Sequence, residues 1–159
     1  MNNQSENASN EWKRGEYSIS TAAERIDLQF VHEFLTRSYW AQNIPFDVVR
    51  RSIENSLCFG LYQAETQIGF ARVVTDSATF AYLCDVFVIE THRGRGLSKW
   101  LMETILAHPE LQNLRRWMLA TRDAHGLYGQ FGFTPLNEPS VFMQRHAPNV
   151  YAKTNQKET

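Results

Sequence analysis

The sequence predicts an α/β chain built on one mixed, mostly antiparallel sheet with helices on both faces. Three observations carry this expectation. From Leu57 to Ile89 the apolar residues run at strand period through three consecutive segments broken by turn residues. Ahead of them, two segments starting at Asp27 and Pro45 carry apolar residues at helical spacing. Behind them a β–loop–α–β order follows, and a crossover of that kind adds a parallel pairing to an antiparallel meander.

Each element has a local reason. Residues 1–14 are rich in Asn, Ser and Glu, with Trp12 the one large apolar group, and read as a disordered N-terminal tail. Tyr17–Ser20 reads as a short strand. Asp27 can cap a helix to about Arg37, with Leu28, Val31, Phe34 and Leu35 on one face. The loop that follows brings Tyr39 and Trp40. Pro45 suits the start of a second helix, with Phe46, Val49 and Ile53 as its stripe. Leu57–Gln63 and Gln67–Thr75 form a hairpin that turns near Glu65, and Thr79–Ile89 is the longest strand. A helix from Trp100 ends before Pro109. Trp117–Thr121 is a strand. Asp123 can cap a helix from His125 to Phe131 that stops at Gly132. Phe133 and Val141–Gln144 supply the last strand material. Residues 15–145 make a single domain, and 146–159 a polar C-terminal tail.

Composition narrows the function classes. The chain has 159 residues, 16 basic and 17 acidic, for a formal net charge of −1. That balance argues against a nucleic-acid binder, which carries a basic excess. No apolar stretch approaches the roughly 20 residues that cross a bilayer, and the N-terminus has no signal-type apolar core, so a cytoplasmic protein without membrane contact is expected. Cys58 and Cys84 sit in apolar surroundings without metal or CxxC spacing, and read as reduced thiols. No metal is expected.

The most informative stretch is Val86–Lys99. The apolar strand Val86, Phe87, Val88, Ile89 gives way to Arg93-Gly94-Arg95-Gly96-Leu97-Ser98-Lys99, which opens into the helix. Glycines allow close backbone approach, and free N–H groups at a helix start attract anions. This is a loop suited to a phosphate or pyrophosphate. It is not a Walker A loop, and Lys99 stands where a dinucleotide fingerprint needs its third glycine.

At this point the chain resembles the GNAT superfamily of acyl-CoA-dependent N-acyltransferases. The family's R-x-x-G-x-[GA] block lies between its fourth strand and third helix, and here reads Arg93 to Ser98, with Ser in the last place. A second block, A-x-x-L-Y-x-x-x-G-F, is matched by Ala124, Leu127, Tyr128, Gly132 and Phe133; the Asn often found seven residues before the Tyr is Thr121 here. The resemblance implies a GNAT-like fold over about residues 17–145. It further implies acetyl transfer from acetyl-CoA, as co-substrate, to a primary amine of a small or amino-acid-like molecule. A non-catalytic acyl-CoA sensor or protein-interaction module is the alternative.

Roles follow from the resemblance. Arg93, Gly94, Arg95, Gly96, Leu97, Ser98 and Lys99 would hold pyrophosphate. Backbone groups from Asp85 to Val88, with Val86, Phe87 and Val88 as the cofactor strand, would meet pantetheine and the thioester carbonyl. Tyr128 would donate a proton to the departing thiolate, or else only pack against the sheet. Asp85, a carboxylate in an apolar strand, is the candidate base, or else a structural partner of Arg72 or His125. Glu33, Asp123 and His125 are weaker candidates. Tyr39 and Trp40 would wall the acceptor side, where aromatics can cradle an ammonium, or else serve as lid packing. Attack would be direct, since neither cysteine sits in an evident nucleophile site. The family resemblance leaves room for a homodimer.

Overall fold

The computed structural model describes residues 9–152. Its order is β1 (Glu11–Arg14), β2 (Tyr17–Ser20), α1 (Leu28–Leu35), α2 (Phe46–Glu54), β3 (Leu57–Gln63), β4 (Thr66–Thr75), β5 (Phe80–Val88), α3 (Leu97–Leu106), β6 (Arg116–Met118) and α4 (His125–Gly129). The six strands form one sheet in sequence order. Every pairing is antiparallel except β5 with β6, which is parallel across the α3 crossover. A mixed sheet with helices on both faces is what the strand periodicity and the β–α–β order predict.

The sheet divides two cores. On one face Ile19, Phe59, Leu61, Ala81, Leu83 and Val88 pack against Leu97, Leu101, Met102 and Ile105 of α3 and Tyr128 of α4. On the other, Cys58, Phe70 and Phe87 pack against Val31 and Leu35 of α1 and Val49 and Ile53 of α2. Phe87 lies flat on Phe34 of α1, ring centroids 3.7 Å apart and 4° from parallel. Asp27 caps α1 as expected, accepting the Phe30 N–H at 3.0 Å.

Several local expectations are corrected. Of the residues assigned to an N-terminal tail, 1–8 lie outside the described residues, but Glu11–Arg14 form β1. They pair with β2, and Trp12 stacks on Phe59 at 6.3 Å; a polar composition hid a strand held by ladder bonds and one aromatic. Phe46 leaves the α2 stripe and stands 42% exposed. Asp123 does not cap α4, whose preceding residue is Ala124; instead the Thr121 hydroxyl accepts the Ala124 N–H. No strand forms at Phe133 or Val141–Gln144. Pro135 and Pro139 interrupt that stretch and remove donors, and Pro139–Val141 makes a 3₁₀ turn. Residues 146–152 follow as turns, with Tyr151 against the α1/α2 core, and 153–159 lie outside the described residues.

His108, just after α3, is 2% exposed. Its Nδ1 accepts the Glu110 N–H at 3.2 Å, its Nε2 meets the Asn10 side chain at 3.1 Å, and its ring touches Trp12 and Phe59. Burial lowers its pKa below the ordinary 6.5, the Glu110 charge opposing only in part. The neutral ring is therefore the folded form. Since the unfolded chain binds the proton more readily, stability is retained above about pH 6.5 and declines as pH falls below it. Urea unfolding between pH 7 and 5 should show this decline, and a His108→Gln variant should show less of it.

Candidate active site

The site begins where β5 loses its outer neighbour. The β5–β6 ladder runs only from Phe80↔Arg116 to Tyr82↔Met118. Beyond it the chain after β6 turns away, and β5 continues alone on that side to Val88. In a strand paired on one side, alternate N–H groups point outward, so Leu83–Val88 offers donors to the gap.

A β-bulge marks the same place. Phe70 pairs with Phe87 and Arg72 with Cys84, so Asp85 and Val86 together face Ala71. Asp85 takes a left-handed φ of 55°. The parity of the strand changes across it, with Ala81 and Leu83 in the α3 core on one side and Val88 on the other. Three groups meet here. The Arg72 Nε donates to Asp85 Oδ2 at 2.7 Å, and the Trp40 Nε1 donates to Oδ1 at 3.1 Å. The pair is largely sheltered, at 18% and 9% side-chain exposure. Burial works against the Arg72 charge, but the neighbouring Asp85 carboxylate outweighs it and raises the guanidinium pKa.

Around the bulge lies a cleft of about 420 Å³. Its walls come from the α1–α2 loop (Tyr39, Trp40), from Tyr82–Val86 of β5, from residues 119–124 after β6, and from Tyr128 of α4. Tyr39 is tied in twice: its hydroxyl accepts the Arg122 N–H at 3.2 Å, and the Arg122 guanidinium lies 4.4 Å from its ring centroid. Tyr128 is 9% exposed, with its ring edge-on to Phe133. Burial, aided by the neighbouring Tyr39 and Asp123, pushes its hydroxyl up to about 12. The phenol therefore keeps its proton throughout the neutral range and can act only as a donor of that proton or as an acceptor. Larger hollows of about 560 and 670 Å³ lie under the C-terminal segment and beside α2, but neither gathers any of the candidate residues.

The other half of the site lies past the end of β5. A 3₁₀ turn, Glu90–His92, leads to Gly94 and Gly96 at φ 76° and 74°, and α3 starts directly on Gly96. No side chain caps this helix, and the first intrahelical bond runs from Trp100 N–H to Gly96 O. The N–H groups of Leu97, Ser98 and Lys99 are left for an external acceptor. A Cβ at Gly94 or Gly96 would meet nothing within 4 Å, so their requirement is the left-handed backbone together with an open approach. The loop is braced from the sheet. Arg93 Nε donates to Val88 O at 2.9 Å, Arg95 donates to the Tyr17 hydroxyl at 2.9 Å, and His92 meets Gln63 at 2.7 Å.

Tyr39, Trp40, Asp85, Val86 and Tyr128 come together on one cleft. Phe87, Val88 and Leu97 are buried, so only their backbones can face a ligand. Arg93 and Arg95 are partly occupied in bracing the loop. Asp85 is held by Arg72, the partner named for it as the structural alternative to a base. Asp123 lines the cleft, His125 lines an adjoining hollow, and Glu33 accepts from Gln29 on an exposed helix face. Arg122 and Tyr82 escaped the sequence reading; both lie in stretches whose local pattern carries no motif. Among the described residues no cluster of three His, Cys, Asp or Glu could hold a metal, and no helix is long and apolar enough to cross a membrane.

Comparisons with known proteins point to one family. The profile of the acetyltransferase (GNAT) family matches residues 21–133. A Gibberella zeae protein described as a candidate acetyltransferase is 30% identical over 142 residues, covering 75% of this chain and 79% of that protein. The crystal structure of a candidate GNAT-family acetyltransferase from Xanthomonas campestris pv. campestris is 48% identical, with a TM-score of 0.85, covering 89% of this chain and all of that one. A Clostridium acetobutylicum structure determined with acetyl-CoA is 14% identical, with a TM-score of 0.59 over 87% of this chain and 96% of that one, a likeness of fold.

The Arg72–Asp85 pair yields a stability prediction. Arg72→Met leaves a sheltered carboxylate without its partner, which costs about 3 kcal/mol. Urea denaturation at pH 7 measures it.

Proposed function

The chain belongs to the acetyltransferase (GNAT) family, and from that premise we propose that it transfers an acetyl group from acetyl-CoA to a primary amine by direct attack in a ternary complex. One observation carries the reading: β5 joins an uncapped, glycine-bordered helix start at one end to a splayed cleft holding a protonated phenol at the other. An elongated ligand with a diphosphate at one end and a thioester at the other fits that line.

Acetyl-CoA supplies the activated acyl group. The chain's residues supply the rest. N–H groups of Gly96–Lys99, with the α3 dipole and the Lys99 charge, hold the diphosphate. Arg93 and Arg95 keep the loop in shape and add positive potential. Outward N–H groups of β5 beside the bulge stabilise negative charge developing on the carbonyl oxygen, an effect worth about 2.7–4 kcal/mol per donor. Tyr128 gives its proton, or a strong hydrogen bond, to the departing sulfur.

The amine must be neutral to attack, and a lysine-like amine has a pKa near 10.4. Asp85, held by Arg72 and Trp40, serves as a positioning residue: it keeps the bulge and the acceptor wall in register. The amine proton passes to water in the cleft rather than to a dedicated base.

Two variants test this reading. Tyr128→Phe should lower kcat by about 10²-fold or more, at the scale of general-acid catalysis, with little change in acetyl-CoA affinity; an unchanged kcat removes the phenol from the chemistry. Gly96→Val places a β-branched side chain at positive φ on the loop and should abolish acetyl-CoA binding in calorimetry while circular dichroism stays native. Normal affinity there would mean the ligand lies elsewhere, and binding without thiol release on any amine would favour the sensor alternative.

A further inference from the structure

Resting on the acyltransfer reading, we infer that Arg122 selects the acceptor by binding its carboxylate, so that the substrate is a zwitterionic, amino-acid-like amine. Arg122 lines the cleft at its exposed rim. Among the described residues it makes no ion pair. Its guanidinium lies 4.4 Å from the Tyr39 ring centroid, and its own backbone N–H holds the Tyr39 hydroxyl. The ring contact thus holds the guanidinium at the cleft without consuming its five N–H donors. A guanidinium held in place with free donors is suited to bidentate capture of a carboxylate.

Charge balance chooses among acceptors. Of the charged groups at the cleft, Asp85 is neutralised by Arg72. What remains is one cation, Arg122, and one anion, Asp123. A polyamine would find a single acidic partner beside a repelling guanidinium. A dianionic phosphate ester would find a single arginine beside a repelling carboxylate. A zwitterion of no net charge meets both. Asp123 and Tyr128 line the same cleft. An ammonium drawn to Asp123 is therefore drawn toward the phenol, while its carboxylate remains with Arg122. Tyr39, Trp40 and Tyr82 leave an aromatic wall for the remaining side chain.

The test measures thiol release from acetyl-CoA with matched acceptors: free amino acids, their carboxamides and the corresponding amines lacking the carboxyl group. For at least one side chain the free acid should exceed its carboxamide by about tenfold or more in kcat/KM, the size of a charge-assisted bidentate contact, and chiefly through KM. Arg122→Gln should bring the free acid down to the level of its carboxamide. Arg122→Lys, which keeps the charge but loses the fork, should retain only part of the preference. Equal rates for acid and carboxamide, or a preference that survives in Arg122→Gln, overturns the inference and leaves the acyltransfer reading standing. No release with any member despite acetyl-CoA binding overturns both.

Discussion

A strand cannot be fully paired and also offer its backbone to a ligand, and the ion pair between Arg72 and Asp85 sits where β5 moves from the first condition to the second. On the β4 side the ladder must absorb an extra residue; on the β6 side it has already ended at Tyr82. A left-handed φ on a non-glycine residue costs on the order of 1 kcal/mol. That cost is tolerated because the Asp85 carboxylate is satisfied from two directions, by Arg72 across the sheet and by Trp40 from the α1–α2 loop. Strain and lid position are thus consequences of one arrangement.

The two cores explain why the arrangement is stable. α1 and α2 cover one face, α3 and α4 the other. The flat stack of Phe34 on Phe87 anchors β5 from the α1 side, just beyond the bulge. Leu97, Trp100 and Leu101 anchor α3 on the other. The start of α3 is therefore fixed in space by packing of its first turn, and its N–H groups point from a rigid base. Tyr17 and Gln63, register partners on β2 and β3, brace the loop through Arg95 and His92. An anion site made of backbone needs such bracing, since it has no side chain of its own to adjust.

The cleft itself is assembled from three stretches distant in sequence, the last of which supplies both the segment after β6 and α4. Tyr39 and Trp40 arrive from one loop, Asp85 and Val86 from β5, Arg122 and Asp123 from the stretch after β6, and Tyr128 from α4. Burial keeps Tyr128 protonated, and the rim around it carries balanced charge. In the reading proposed here the phenol serves the sulfur, while Arg122 and Asp123 orient the acceptor.

What the linear order determined was whatever depends on neighbours a few residues apart. The period-two apolar runs of β3 to β5, the Asp27 cap, and the glycine-spaced loop opening into α3 are local, because hydrophobic period, capping geometry and backbone freedom are set within one or two turns of chain. The family blocks around Arg93 and Tyr128 are local in the same sense. Tertiary structure decided the rest. β1 exists because β2 and Phe59 receive it, against its polar composition. Asp85 meets the Arg72 guanidinium at 2.7 Å only because folding pairs β4 with β5. Phe133 to Gln144 carries strand-type residues that form no strand, since Pro135 and Pro139 break a ladder that apolar content alone would allow. Arg122 becomes notable only when folding lays it on Tyr39. Charge pairing, ring stacking and ladder formation all require groups brought together from far along the chain, and no window of sequence contains them.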